Sequence, residues 1–117
     1  MEIKKNKDIV LLRLSPEDLT AIQETSEIVE DLLKIDGERK FVADISAVKQ
    51  INSLQAGALV TLHLVCYENL AVMKLAGVTD KVKVVLQLIG LDKLMEMHHG
   101  PEVASASFGK ATPRPGA

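Results

Sequence analysis

The residues best suited to chemistry lie between positions 41 and 57, in the run FVADISAVKQINSLQAG. A short apolar stretch, Phe41-Val42-Ala43, ends in Asp44. A polar connection follows, and Ile51-Asn52-Ser53 then opens a long apolar segment that reads as a helix. That order sets the Ser53 hydroxyl on or beside the first turn of the helix. Unpaired backbone N–H groups and a partial positive charge accommodate an anion there. Accepting a phosphate is the chemistry that suits such a hydroxyl, which makes Ser53 a candidate switch. Serine also serves as an ordinary cap or first-turn residue at helix starts, and from position alone that is the commoner role. Asn52 reads as the cap rather than as a reacting group.

Other reactive side chains carry less. Asp44 suits a helper acid near Ser53, but a strand-end aspartate hydrogen-bonding a turn is the simpler reading. His63 falls within the apolar helix. His98 and His99 have no cysteine or carboxylate at zinc-ligand spacing, so no metal site is expected. Cys66 is the one cysteine, which excludes an internal disulfide; it reads as a small buried hydrophobe with no neighbour to lower its pKa. There is no phosphate-cradling glycine loop, nucleophile elbow or metal-ligand cluster. Neither a catalytic activity nor a cofactor is expected.

The elements that must position Ser53 follow from patterning. Residues 9–14 form a β-rich run that pairs with residues 2–5 across Asn6-Lys7. Ser15 reads as an N-cap with Pro16 at the first helical position and two acids, Glu17 and Asp18, in the first turn. Leu19, Ile22, Ile28, Val29, Leu32 and Leu33 recur at near-helical spacing, giving one amphipathic helix to about residue 33 or 35, ended by Asp36-Gly37. Residues 40–45 read as an interior strand. Asn52 and Gln55 form a capping box for a helix reaching about residue 69. Residues 71–75 read as another strand. Residues 79–90 suit a helix capped by Thr79-Asp80 and closed by Gly90, although alternation of Val82, Val84, Leu86 and Leu88 fits almost as well. Residues 91–97 form a last short helix or strand. From Gly100 the pattern loses its apolar period and holds three of the four prolines. This gives a domain over 1–99 and a flexible tail over 100–117. Strands alternating with helices indicate a single α/β domain, a mixed β-sheet flanked by helices.

The helix after Ser53 is apolar around most of its circumference. Either it is covered by the sheet and a neighbouring helix, or part of its exposed side docks a partner. Asn52, Ser53, Leu54, Ala58 and Leu62 are the candidate partner-binding residues.

Composition narrows the function classes. The chain has 117 residues, 47% of them apolar, and a formal net charge of −2, so it suits one packed domain. Lys and Arg are scattered, and aromatics are limited to Phe41, Tyr67 and Phe108; nucleic acid is not an expected partner. The longest apolar run, 56–67, is too short for a membrane span. The charged N-terminus lacks the apolar stretch of a signal peptide. A soluble cytoplasmic protein without membrane insertion is expected.

Four pieces in order resemble the STAS domain, in particular bacterial anti-sigma factor antagonists: Ala43-Asp44-Ile45-Ser46, Ile51-Asn52-Ser53-Leu54-Gln55-Ala56-Gly57, Ala76-Gly77-Val78-Thr79 and Ile89-Gly90-Leu91-Asp92. The resemblance covers roughly residues 9–97. Asn52 stands where the family prefers aspartate, Leu54-Gln55 replace the usual Ser/Thr-Gly, and Leu19 stands where an earlier family aspartate falls. The resemblance implies a mixed sheet flanked by helices and a phosphorylated serine at Ser53. It also implies a protein partner: an anti-sigma factor or a serine kinase of the histidine-kinase-like ATPase type, with a phosphatase if the protein is switched. Unphosphorylated members hold that partner and free the sigma factor; phosphorylated members let go. The alternative is an unswitched STAS interaction module, a scaffold subunit of a larger assembly.

Overall fold

The apolar runs become strands and helix stripes in the computed structural model, which describes residues 1–109. Strand β1 (Glu2–Asn6) pairs antiparallel with β2 (Ile9–Arg13), and β2 pairs parallel with β3 (Lys40–Asp44), which pairs parallel with β4 (Val72–Ala76). The sheet order is β1-β2-β3-β4. Parallel neighbours need crossovers, and helices supply them: α1 (Pro16–Thr20) and α2 (Ile22–Lys34) follow β2, α3 (Ser53–Glu68) follows β3, and α4 (Asp80–Leu88) follows β4.

Side-chain alternation along each strand divides the interior. Val10, Leu12, Phe41, Ala43, Met73 and Leu75 point to one face, where Leu19, Val29, Leu33, Leu59, Leu62, Val82 and Leu86 of the four helices cover them. Val42 and Ala76 point to the other face and pack with Ala104 of a fifth helix, α5 (Pro101–Ser107). The mixed α/β sheet with helices on both faces is the architecture expected from the sequence.

Three local readings are corrected or settled. The single helix expected from residue 16 is two, because Ala21 adopts φ −87° and ψ 54° between α1 and α2. The Asp18 carbonyl there accepts from the Thr25 hydroxyl at 2.7 Å, a side-chain competitor for the helical ladder. The ambiguity over residues 79–90 resolves as helix: Val82 and Leu86 are buried while Val84 and Leu88 are exposed, a spacing of four rather than two. Residues 91–97 divide between a 3-10 turn, Leu91–Lys93, and a bridge from Met97 to Leu75.

The stretch read as a tail from Gly100 holds α5, seated on the outer face of the sheet; residues 110–117 of it lie outside the described residues. Its helix was hidden because only Ala104 and Phe108 face the sheet, too few apolar positions to show a period. Pro101 suits the first helical turn, where its missing N–H costs no bond.

Candidate functional site

Because β2, β3 and β4 run parallel, their C-terminal ends meet at one edge of the sheet, and α1, α3 and α4 each begin just beyond it. Each start is capped by a side chain. Ser15 accepts from the Asp18 amide at 3.2 Å, Asn52 from the Gln55 amide at 2.8 Å and Thr79 from the Val82 amide at 3.4 Å. In open α/β sheets this edge is where functional residues gather.

Ser53 stands on this rim, exposed, as the first residue of α3. Asn52 and Gln55 satisfy one another: Gln55 Oε1 accepts the Asn52 amide at 3.2 Å in return, closing the expected capping box. The Ser53 hydroxyl takes no part in it and has no hydrogen-bond partner among the described residues. Gln55 Nε2 also reaches the Pro16 carbonyl at 3.5 Å, tying the start of α3 to α1. Sequence spacing gave no sign of this tie, which spans 39 positions. A 330 Å³ groove lined by Pro16, Glu17, Thr20, Ala21 and Gln55 opens beside it.

The loop before Ser53 is held from below. Asp44 is 5% exposed; its Oδ1 accepts the Ser46 amide at 2.9 Å and its Oδ2 lies 3.6 Å from Arg13 Nε. Asp44 therefore serves the turn. Gly77, at φ +69°, presses against the same turn. A Cβ there would sit 2.5 Å from Asp44 Oδ1 and 2.8 Å from Ser46 N, so the position admits only glycine without movement. Beside them lies a 260 Å³ hollow between Arg13, Ser15, Asp18, Asp44 and Ser46. Burial pushes the Asp18 carboxyl up, but the Ser15 amide and hydroxyl, with the N-terminal ammonium 3.5 Å away, together hold it below the usual carboxylate range.

Of the five candidate docking residues, Asn52, Ser53 and Leu54 lie together on the rim, Leu54 with 61% of its surface exposed. Ala58 and Leu62 do not join them: they are 3% and 0% exposed, in the main core. The reason is helical drift. Steps of four residues advance 40° around an α-helix, so 54, 58 and 62 walk from solvent into the core, whereas Leu54, Gly57, Thr61 and Leu64 stay outside. The apolar surface of α3 is thus mostly covered by the sheet and neighbouring helices, leaving an exposed strip along Leu54, Gly57, Thr61 and Leu64.

The remaining reactive residues fall elsewhere. Cys66 is fully buried, and burial pushes its thiol up to about 12. His63 lies 5.9 Å from the Tyr67 ring, centroid to centroid. His98 Nε2 lies 3.2 Å from Glu96 Oε1. Among the described residues no group of three His, Cys, Asp or Glu side chains is placed to hold a metal ion, and no helix is long and apolar enough to cross a membrane.

The family model for the STAS domain matches residues 1–106. Several solved structures share the fold. One, from work on the molecular architecture of the stressosome, a signal integration and transduction hub, superposes with a TM-score of 0.81 at 19% identity, over 92% of this chain and 96% of that one. A serine-to-glutamate variant of RsbS from Moorella thermoacetica gives 0.80 at 16% identity, over 92% and 93%. An anti-sigma-factor antagonist (STAS) domain protein from Planctomyces limnophilus gives 0.75 at 15% identity, over 93% and 97%. No curated protein matches the sequence.

Proposed function

Since the chain belongs to the STAS domain family, we propose that it is a partner-switching regulator that binds an anti-sigma factor or a histidine-kinase-like serine kinase and is controlled by phosphorylation of Ser53. The observation that carries this reading is the state of the Ser53 hydroxyl. It is exposed, unbonded among the described residues and set at the N-terminus of a sixteen-residue helix whose cap is completed without it. A kinase can reach such a hydroxyl, and the phosphate formed there meets a favourable partial charge. The docking surface is the rim itself: the exposed Ser46, Asn52, Ser53 and Leu54, with the groove between α1 and α3 alongside. The protein's part is to bind; the transfer chemistry belongs to the kinase, and a phosphatase reverses it.

The test is incubation with the kinase from the same genomic neighbourhood and ATP, followed by peptide mapping. Phosphate on Ser53, absent from a Ser53→Ala variant, supports the reading. Phosphate on another residue, or none from a kinase that binds the protein, overturns it. A second reading, an unswitched scaffold subunit, is favoured by the exposed apolar side chains Val84, Leu88 and Ile89 on and just after α4; that role predicts binding that ATP and kinase leave unchanged.

A further inference from the structure

The outer face of the sheet carries a lysine in its middle. Lys74 of β4 is 2% exposed, and three groups hold its ammonium: Ser107 Oγ at 2.7 Å, Glu96 Oε2 at 3.2 Å and the Phe108 ring, whose centroid is 4.3 Å away. Ser107 and Phe108 come from the end of α5. The apolar hold on α5 is small. Ala104 is its one fully buried residue, against Val42 and Ala76, with Ile9, Leu11 and Phe108 partly buried around them. Seven residues are too few for a helix to stand alone in water, and Gly100 provides no side-chain cap. Glu96 belongs instead to the fixed body of the domain. The Leu75 amide donates to the Glu96 carbonyl and the His98 amide to the Leu75 carbonyl, both at 2.9 Å.

We infer that α5 is a releasable strap over the outer face of the sheet, hinged at His99-Gly100 and kept releasable by the buried Lys74 ammonium beneath it. An apolar side chain beneath α5 would gain only by staying covered. An ammonium loses hydration each time the strap closes and recovers it on opening. Ser107, Phe108 and Glu96 offset that loss in the closed state; in the open state Lys74 keeps Glu96 and meets water. Opening bares Val42 and Ala76 with Ile9 and Leu11, a strip whose upper end is Asp44, beneath the rim.

Hydrogen exchange read by mass spectrometry on the full chain tests this, comparing wild type with Lys74→Met, Lys74→Ala and Ser107→Ala. Methionine fills the lysine's space without charge and leaves no buried group unpaired: Ser107 Oγ still donates to the Ala104 carbonyl at 2.6 Å, and Glu96, 29% exposed, keeps His98 on Oε1 and turns Oε2 to water. In wild type the α5 amides are expected to exchange at least ~10-fold faster than those of β3, the mark of a separate local opening. Lys74→Met is expected to slow α5 exchange at least ~5-fold, whereas Lys74→Ala and Ser107→Ala speed it, with β3 unchanged in all three. The strap is overturned if α5 in wild type exchanges no faster than β3, or if Lys74→Met leaves α5 exchange unchanged or faster. Should Lys74→Ala fail to fold, the methionine and Ser107→Ala variants decide, the latter overturning the strap if α5 exchange does not rise.

Discussion

Placing a charge at Leu54 separates docking from folding, and the structure supplies the magnitudes. Leu54 is 61% exposed, so Leu54→Asp forfeits about two-fifths of a leucine's burial, roughly 0.6–1.2 kcal/mol of the ~1.5–3 kcal/mol for full burial. The first turn of α3 holds no acid, and a carboxylate there gains ~0.3–1 kcal/mol from the helix terminus. The two terms nearly cancel, so the variant should melt within about 5 °C of wild type. Ala58→Asp, only four positions on, buries an unpaired carboxylate at a site 3% exposed. That costs several kcal/mol out of a domain stability of about 5–15 kcal/mol, so this variant should melt far lower or not fold. Circular dichroism melts read the contrast. Calorimetric titration with the kinase proposed as the partner then reads docking: Leu54→Asp should weaken the complex by ~10–100-fold, or about 1.4–2.8 kcal/mol. A folded Leu54→Asp variant with wild-type affinity would refute the docking assignment. A melt as low as that of Ala58→Asp would refute the placement of Leu54 on an exposed rim.

Phosphorylation of Ser53 should shift amide resonances near residues 46–56 only, and Ser53→Asp should reproduce the loss of binding in part, having one charge and shorter reach; shifts across the whole sheet would mean a conformational switch instead. Gly77→Ala combines a left-handed backbone cost of ~1–2 kcal/mol with a clash against the Asp44–Ser46 turn of ~1–3 kcal/mol, so urea denaturation should show a loss of about 2–5 kcal/mol; a loss under ~1 kcal/mol would contradict the contact. Cys66, its thiol pushed up to about 12, should resist iodoacetamide at pH 8 in the native state and react fully in urea; rapid native labelling would show that the helix opens. The folded Asp18 carboxyl sits below its unfolded value of ~3.9, so the stability it contributes is present above that pH and lost as pH falls through the folded value; Asp18→Asn should flatten the acid limb of the stability curve below about pH 4, and an unaltered limb would argue against the Ser15 pairing.

The sequence showed most of what positions the rim, because the signals there are local. Ser15, Asn52 and Thr79 announce helix starts by capping chemistry that spans three residues, and all three cap as expected. Strands β2 and β3 show as β-rich apolar runs. What escaped was set by packing at a distance. The exposed side of α3 could not be read from a helix apolar almost all round, because no polar face marks which positions the sheet covers; hence the sequence alone groups Ala58 and Leu62 with Leu54. The break at Ala21 goes with a hydrogen bond between a hydroxyl and a carbonyl seven residues apart, which no local pattern announces. Helix α5 escaped because only Ala104 and Phe108 give it an apolar hold on the sheet and its remaining contact is with Lys74, and a lysine inside a strand gives no sign that a helix will bury it.

The geometry of the rim also constrains how a phosphate there could act. Asn52 and Gln55 complete the cap between themselves, so modifying Ser53 breaks no hydrogen bond of the described fold. The added charge of about −1.5 to −2 lies at a helix N-terminus, where it gains a few tenths to about 1 kcal/mol. A modified protein is therefore expected to be at least as stable as the unmodified one, so under the proposed switch the loss of a partner would arise at the interface and not from unfolding. Docking against the rim would strip water from a doubly charged group or set it near the partner's acids, and such a penalty reaches several kcal/mol. A few kcal/mol at Ser53 suffices to change affinity by two or three powers of ten, since each 1.4 kcal/mol is tenfold. The same hydroxyl, small and uncharged, costs the unmodified complex almost nothing, so a switch built at this place can leave the sheet and its helices where they are.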